Sequence, residues 1–92
     1  MKIIYTDYAE DIISDRKISK KIIEDSLRNP NEIVKGKKNR KIAHKVIRNK
    51  LLRVIFEEDA KTYIVITVYY AEHRRYMKKW KSILTQNTIL WE

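Results

Sequence analysis

Thr62-Tyr63-Ile64-Val65-Ile66-Thr67-Val68-Tyr69-Tyr70 is the stretch on which the fold turns. Every residue in it is β-branched or aromatic, the side-chain types that pack well on a pleated surface. Its apolar residues do not alternate cleanly with polar ones, so both faces of this strand need cover. Such a strand belongs inside a sheet, with helices over at least one face. Working backwards, Leu51 to Glu57 predicts the preceding strand, joined to it by the polar turn Glu58-Asp59-Ala60-Lys61. Lys41 to Ile47 alternates, with Ile42, His44 and Val46 on one face and Ala43, Lys45 and Ile47 on the other. Asn49-Lys50 makes a tight hairpin turn between these two strands. Glu32-Ile33-Val34-Lys35 is a further short strand, released at Gly36-Lys37-Lys38-Asn39.

Toward the N-terminus the period changes. Thr6 or Asp7 can cap a helix carrying Tyr8, Ala9, Ile12 and Ile13 at helical spacing, with Glu10 placed to close a capping box on Asp7. This helix should end near Arg16-Lys17. Ser19 caps a second helix through Arg28, with Ile22, Ile23 and Leu27 on one face, and Asn29-Pro30 stops it. Lys2-Ile3-Ile4-Tyr5 reads as a short strand or lead-in, and Glu72 to about Ser82 predicts a C-terminal helix. The tail over residues 81–92, which contains Trp91, receives no structural assignment. The expected class is α+β, a single domain over residues 1–92. Its two N-terminal helices pack on a mainly antiparallel four-stranded meander sheet, and the C-terminal helix follows.

The 92 residues carry 21 Lys+Arg against 12 Asp+Glu, a formal net charge of +9. The excess is local: residues 35–53 contain nine basic residues and no acidic one, so this segment alone accounts for the whole net charge. It is either a solvated charged face or a stripe that binds a polyanion. With no Cys there is no disulfide framework and no thiolate metal site. The two histidines, His44 and His73, are far apart in sequence and lack a paired carboxylate nearby, and Gly36 is the sole glycine. Neither a metal nor a phosphate-loop cofactor is expected. No apolar run approaches the roughly 20 residues that span a bilayer, and the N-terminus has no secretory pattern. The expectation is a cytoplasmic protein with no membrane partner.

Two places have residue types suited to phosphate chemistry. Arg53 sits mid-strand between Leu51 and Ile55 on its own face. It either reaches solvent, bridges Glu57 or Glu58, or is held by the sheet and aimed at a phosphate, which the guanidinium fork fits. The second place is Tyr69-Tyr70-Ala71-Glu72-His73-Arg74-Arg75-Tyr76, where strand hands over to expected helix. Cutting RNA without a metal needs a base for the 2′-hydroxyl, cations for the developing phosphorane and an acid for the leaving oxygen. His73, Arg74 and Tyr76 supply those types. The same residues could instead close the core and decorate a helix start.

These motifs resemble a known superfamily. Leu52-Arg53-Val54-Ile55-Phe56, an acidic turn, a strong strand and then His73-Arg74-Arg75-Tyr76 resemble the second half of RelE/ParE toxins. Arg16-Lys17-Ile18-Ser19 between two helices, with Leu27 and Asn29-Pro30 closing the second, looks more like the BrnT branch. The resemblance covers roughly residues 6–80. It implies the toxin of a type II toxin–antitoxin system, an endoribonuclease acting on mRNA without a metal, on the ribosome or free of it, and neutralised by a cognate antitoxin. On that reading Arg53 and Arg74 hold the scissile phosphate. Tyr76 stands only two residues beyond Arg74, closer than the family's tyrosine, so Tyr76 or His73 would transfer protons. Arg40, Lys41, Lys45, Arg48 and Arg75 would grip RNA. A ParE-like gyrase inhibitor shares the fold, and a non-catalytic module binding nucleic acid or an acidic protein shares the charge.

Overall fold

The computed structural model describes residues 2–72. The chain runs β1 (Lys2–Tyr5), α1 (Asp7–Arg16), α2 (Lys20–Arg28), β2 (Glu32–Lys35), β3 (Lys41–Ile47), β4 (Lys50–Asp59) and β5 (Thr62–Glu72). Local chemistry sets the helix ends. Thr6 caps α1 by accepting the Ala9 N–H at 3.0 Å, and Ser19 caps α2 by accepting the Ile22 N–H at 3.3 Å. Between them Lys17 takes a left-handed conformation, φ 53°, and the Ile18 N–H reaches back to the Ile13 carbonyl at 3.0 Å. This ending turns Ile18 inward, where it is buried, so the short link between the helices itself joins the core.

The sheet has five strands in the order β1-β5-β4-β3-β2. Three neighbouring pairs are antiparallel, but β1 lies parallel to β5, with Ile3 opposite Tyr63 and Tyr5 opposite Val65. The expected four-stranded meander is therefore corrected to a five-stranded mixed sheet. The physical reason lies in β5. It needs a neighbour on both edges, and the N-terminal segment Lys2–Tyr5 supplies the second one. Thr6 fixes the junction, its N–H on the Val65 carbonyl at 3.1 Å and its hydroxyl on the Ile66 carbonyl at 3.2 Å.

The expected C-terminal helix is corrected at its start. Glu72 is the last residue of β5, paired with Lys50, because the β4–β5 ladder continues past Tyr70. The rest of that expected helix, and the 81–92 tail, lie outside the described residues.

Both helices cover one face of the sheet, α1 over β5 and β1 and α2 over β3 and β4. Ala9, Ile13, Ile23 and Leu27 from the helices meet Ala43, Leu52, Val54, Phe56, Val65 and Val68 from the sheet. Val65 and Val68 are three apart yet both face the helices. The ladder shifts between Ile55 and Phe56, which pair with Thr67 and Val65 and leave Ile66 as an extra residue. The bulge reverses the alternation along β5 and turns Thr67 and Tyr69 to the opposite face, which no helix among the described residues covers. No helix among the described residues is long and apolar enough to cross a membrane.

Candidate functional site

The face opposite α1 and α2 carries a row of polar side chains crossing four strands. Register places Glu32 of β2 opposite His44 of β3, His44 opposite Arg53 of β4, and Arg53 opposite Tyr69 of β5. Directly opposed residues are near enough for their side chains to interact, and here each one does. Glu32 Oε2 lies 2.7 Å from His44 Nδ1. Arg53 donates from Nε to His44 Nε2 at 3.0 Å and from Nη1 to the Tyr69 hydroxyl at 2.6 Å. The guanidinium carbon also lies 5.5 Å from the centre of the Tyr69 ring.

Donor chemistry fixes the protonation of this row. A guanidinium has only N–H donors, so His44 Nε2 must accept and the imidazole proton sits on Nδ1, directed at Glu32. His44 is thus a neutral ring between a carboxylate and a guanidinium. The two inner members are buried, the His44 side chain 3% and that of Glu32 7% exposed. With both ring nitrogens engaged, His44 positions Arg53, while Arg53 and Tyr69 form the half-buried outer end of the row. Because Tyr69 accepts from Arg53, its own hydroxyl hydrogen is directed elsewhere.

Beside this row lies an open groove of about 620 Å³. Its floor is Ile42, Ile55, Thr67 and Tyr69, and its rim is formed by Lys35, Gly36, Lys37 and Arg40 from the β2–β3 connection. Gly36 fits the rim closely: a Cβ there would stand 3.3 Å from the Arg40 carbonyl oxygen and 3.4 Å from the Ile42 side chain, so its neighbours would have to give by a few tenths of an ångström. Arg40 pairs through Nε with Glu57 at 3.1 Å.

The residues singled out in the sequence separate across the two faces. Arg53 and Arg40 belong to the face opposite α1 and α2. Lys41 and Lys45 stand on the helix-facing side of β3, in register with Phe56 and Leu52. Lys41 Nζ is 2.8 Å from Glu58, and that hydrogen bond, then the charge behind it, raises its pKa. Lys45 donates to the Asn29 carbonyl at 2.7 Å and lies 3.4 Å from Asp25, which ties it to the C-terminal end of α2. Arg48 occupies the β3–β4 turn with φ 61° and lines a separate hollow with Ile22, Ile47 and Tyr70. His73, Arg74, Arg75 and Tyr76 lie outside the described residues. Arg53 bonds across strands to His44 and Tyr69, where the sequence had suggested Glu57 or Glu58.

Sequence reasoning gives Glu32 no role, considers His44 only as a metal ligand, and includes Tyr69 only within the Tyr69–Tyr76 cluster. One signal was present: His44 interrupts the face that holds Ile42 and Val46, and a polar group there needs a partner. Its partners come from strands whose register the sequence alone does not reveal. Among the described residues no cluster of three or more His, Asp or Glu side chains could hold a metal ion.

No curated protein and no solved structure matches this chain. One family model does, described as a domain of unknown function, DUF4258, and it matches residues 5–70. That span contains both helices, β2, β3, β4 and the whole Glu32–His44–Arg53–Tyr69 row. The chain belongs to the DUF4258 family.

Proposed function

We propose that this domain is an RNA-cleaving toxin that works without a metal and is held in check by an antitoxin protein. The observation that carries the reading is the cross-sheet row, which sets a guanidinium and a phenol side by side at the edge of a groove with a cationic rim. The row is costly to keep in a small sheet, because His44 and Glu32 are polar and buried. An arrangement of this kind fixes the direction of Arg53 before any ligand arrives.

RNA cleavage by its own 2′-hydroxyl forms an O2′–P bond and breaks the P–O5′ bond, giving a 2′,3′-cyclic phosphate and a 5′-hydroxyl. Arg53 neutralises the phosphorane charge. Tyr69 gives its hydroxyl hydrogen to the departing O5′, and is itself restored by the proton taken from the 2′-hydroxyl. The toxin resemblance gives proton transfer to His73 or Tyr76, and with Tyr69 as the acid that group accepts the 2′-hydroxyl proton, with Arg74 as a second cation on the phosphate. Lys37 holds a flanking phosphate.

The test uses the purified full chain and end-labelled RNA in excess chelator. Cleavage with cyclic-phosphate ends is expected to continue in chelator, and Arg53→Ala and Tyr69→Phe should each lower the rate by about 10²–10⁴-fold. RNA bound tightly but left intact would replace the nuclease by a binding module. Intact cellular RNA with lost DNA supercoiling after induced expression would point to gyrase instead.

A further inference from the structure

We infer that the groove beside Arg53 is a guanine subsite, in which Arg40 reads the base next to the phosphate held by Arg53. The inference rests on the RNA reading above and names the base that reading leaves open.

Three rungs of the face opposite α1 and α2 line up along the strands. Arg53 and Tyr69 form the first, Ile42, Ile55 and Thr67 the second, and Arg40 with Glu57 the third. Arg53 and Glu57 are four residues apart on β4, about 13 Å at about 3.3 Å per residue. The space between them is floored by Ile42 and Ile55, which also line the groove. A phosphate placed over those two side chains would lose water and gain no partner, whereas the flat face of a base loses little. Tyr69 at one end offers a ring on which a base can stack.

Arg40 then decides which base. Glu57 takes its Nε, and among the described residues Glu57 is its one side-chain partner. The guanidinium plane is fixed by that bond, and the fork of the two Nη groups is its remaining donor edge. Such a fork finds two acceptors on guanine, O6 and N7. Adenine sets an amino donor against it at one of the two positions, and pyrimidines have no N7. The carboxylate of Glu57 biases Arg40 away from the phosphates, so its role is separated from that of Lys37.

The experiment measures affinity of the full chain by fluorescence anisotropy for short 2′-O-methylated oligonucleotides, which cannot be cleaved. They are an all-uridine strand and the same strand with one central guanosine or adenosine. The guanosine strand should bind about tenfold tighter than the other two, the discrimination of a modest bidentate contact. Arg40→Lys keeps the charge and loses the fork, so it should leave all-uridine affinity within about twofold and erase the guanosine preference. Glu57→Gln should weaken the preference without removing it. Equal binding of the three strands would overturn the subsite while leaving an RNA-binding domain in place. A guanosine preference that survives in Arg40→Lys would place the reader elsewhere. Binding to none of the strands would sink both the subsite and the RNA reading.

Discussion

Replacing His44 by Ala tests whether the polar row is a coupled unit. The imidazole holds Glu32 at 2.7 Å and accepts from Arg53 at 3.0 Å. Glu32 is 7% exposed, so removing His44 strands a carboxylate in poorly hydrated surroundings. Breaking a buried pair from one side costs about 3–5 kcal/mol. The lower end applies here, because β2 is a short edge strand and can shift to admit water. The lost Arg53 bond adds little, since that side chain is half-buried and water can replace histidine. A domain of 92 residues has about 5–14 kcal/mol of stability in total, so the variant should still fold. In urea, a loss of about 3 kcal/mol moves the midpoint down by about 2 M at an m-value of about 1.5 kcal/mol/M. Glu32→Leu takes the acceptor away from the Nδ1–H of a neutral His44 and should cost less, about 1–3 kcal/mol. The double variant Glu32→Leu/His44→Ala removes the buried charge together with its partner and should cost less than the sum of the singles by about 2 kcal/mol. If the single losses add to the double within about 0.5 kcal/mol, the two residues are independent and the positioning argument fails.

Three further outcomes follow from particular contacts. Burial first, and then the hydrogen bond to Glu24 at 3.1 Å, raises the pKa of Tyr5, so the unfolded chain loses that proton before the folded one. Stability should therefore be fully present below the ordinary tyrosine value, about pH 10, and fall as pH rises beyond it; Tyr5→Phe should flatten that alkaline decline in a melting-temperature profile. For Asp25 the sign is opposite: the Asn29 amide, and next the charge of Lys45, lower its pKa, so its contribution is present above about pH 4 and lost as pH falls, and Asp25→Asn should remove that part of the acid limb. Thr6→Ala and Ser19→Ala should each cost about 1 kcal/mol by urea titration, with Thr6 the larger, since its hydroxyl also holds the Ile66 carbonyl.

The elements were legible in the sequence wherever their cause was local. Ser19 and Thr6 announce helix starts, Pro30 announces a stop, and the alternation of Lys41 to Ile47 marks a strand with the observed bounds. What stayed hidden depended on which strand lies beside which. The parallel place of Lys2–Tyr5 is decided by the unpaired edge of β5, more than fifty residues away. The bulge at Ile66 made one strand look apolar on both faces, because its true alternation changes phase midway. Arg53 stood out as a cation among apolar neighbours, but the sequence could not say that His44 and Tyr69 flank it. A hydrogen-bonded row across a sheet is written in register, and register emerges only when the strands have docked.

Docking also changes what the basic segment can do. Residues 35–53 contain nine cations, and a count from sequence gives each an equal claim on a phosphate. The fold withdraws some of them. Lys41 and Lys45 are turned to the helix side and held by Glu58, Asp25 and the Asn29 carbonyl. Arg40 is held by Glu57, while Lys35 and Lys37 line the groove. Each phosphate contact on a single strand contributes about −0.7 to the slope of log affinity against log salt. Lys37→Gln should therefore make that slope shallower by about 0.7. Lys41→Gln and Lys45→Gln should leave the slope where it was, although Lys45→Gln also frees Asp25 and loosens the end of α2. Measured by anisotropy over a salt series, the comparison is internal to one segment and insensitive to charges elsewhere. A slope that responds to Lys41 or Lys45 as strongly as to Lys37 would mean that RNA runs along the helix side. In that case the groove and the polar row beside it could not be the site.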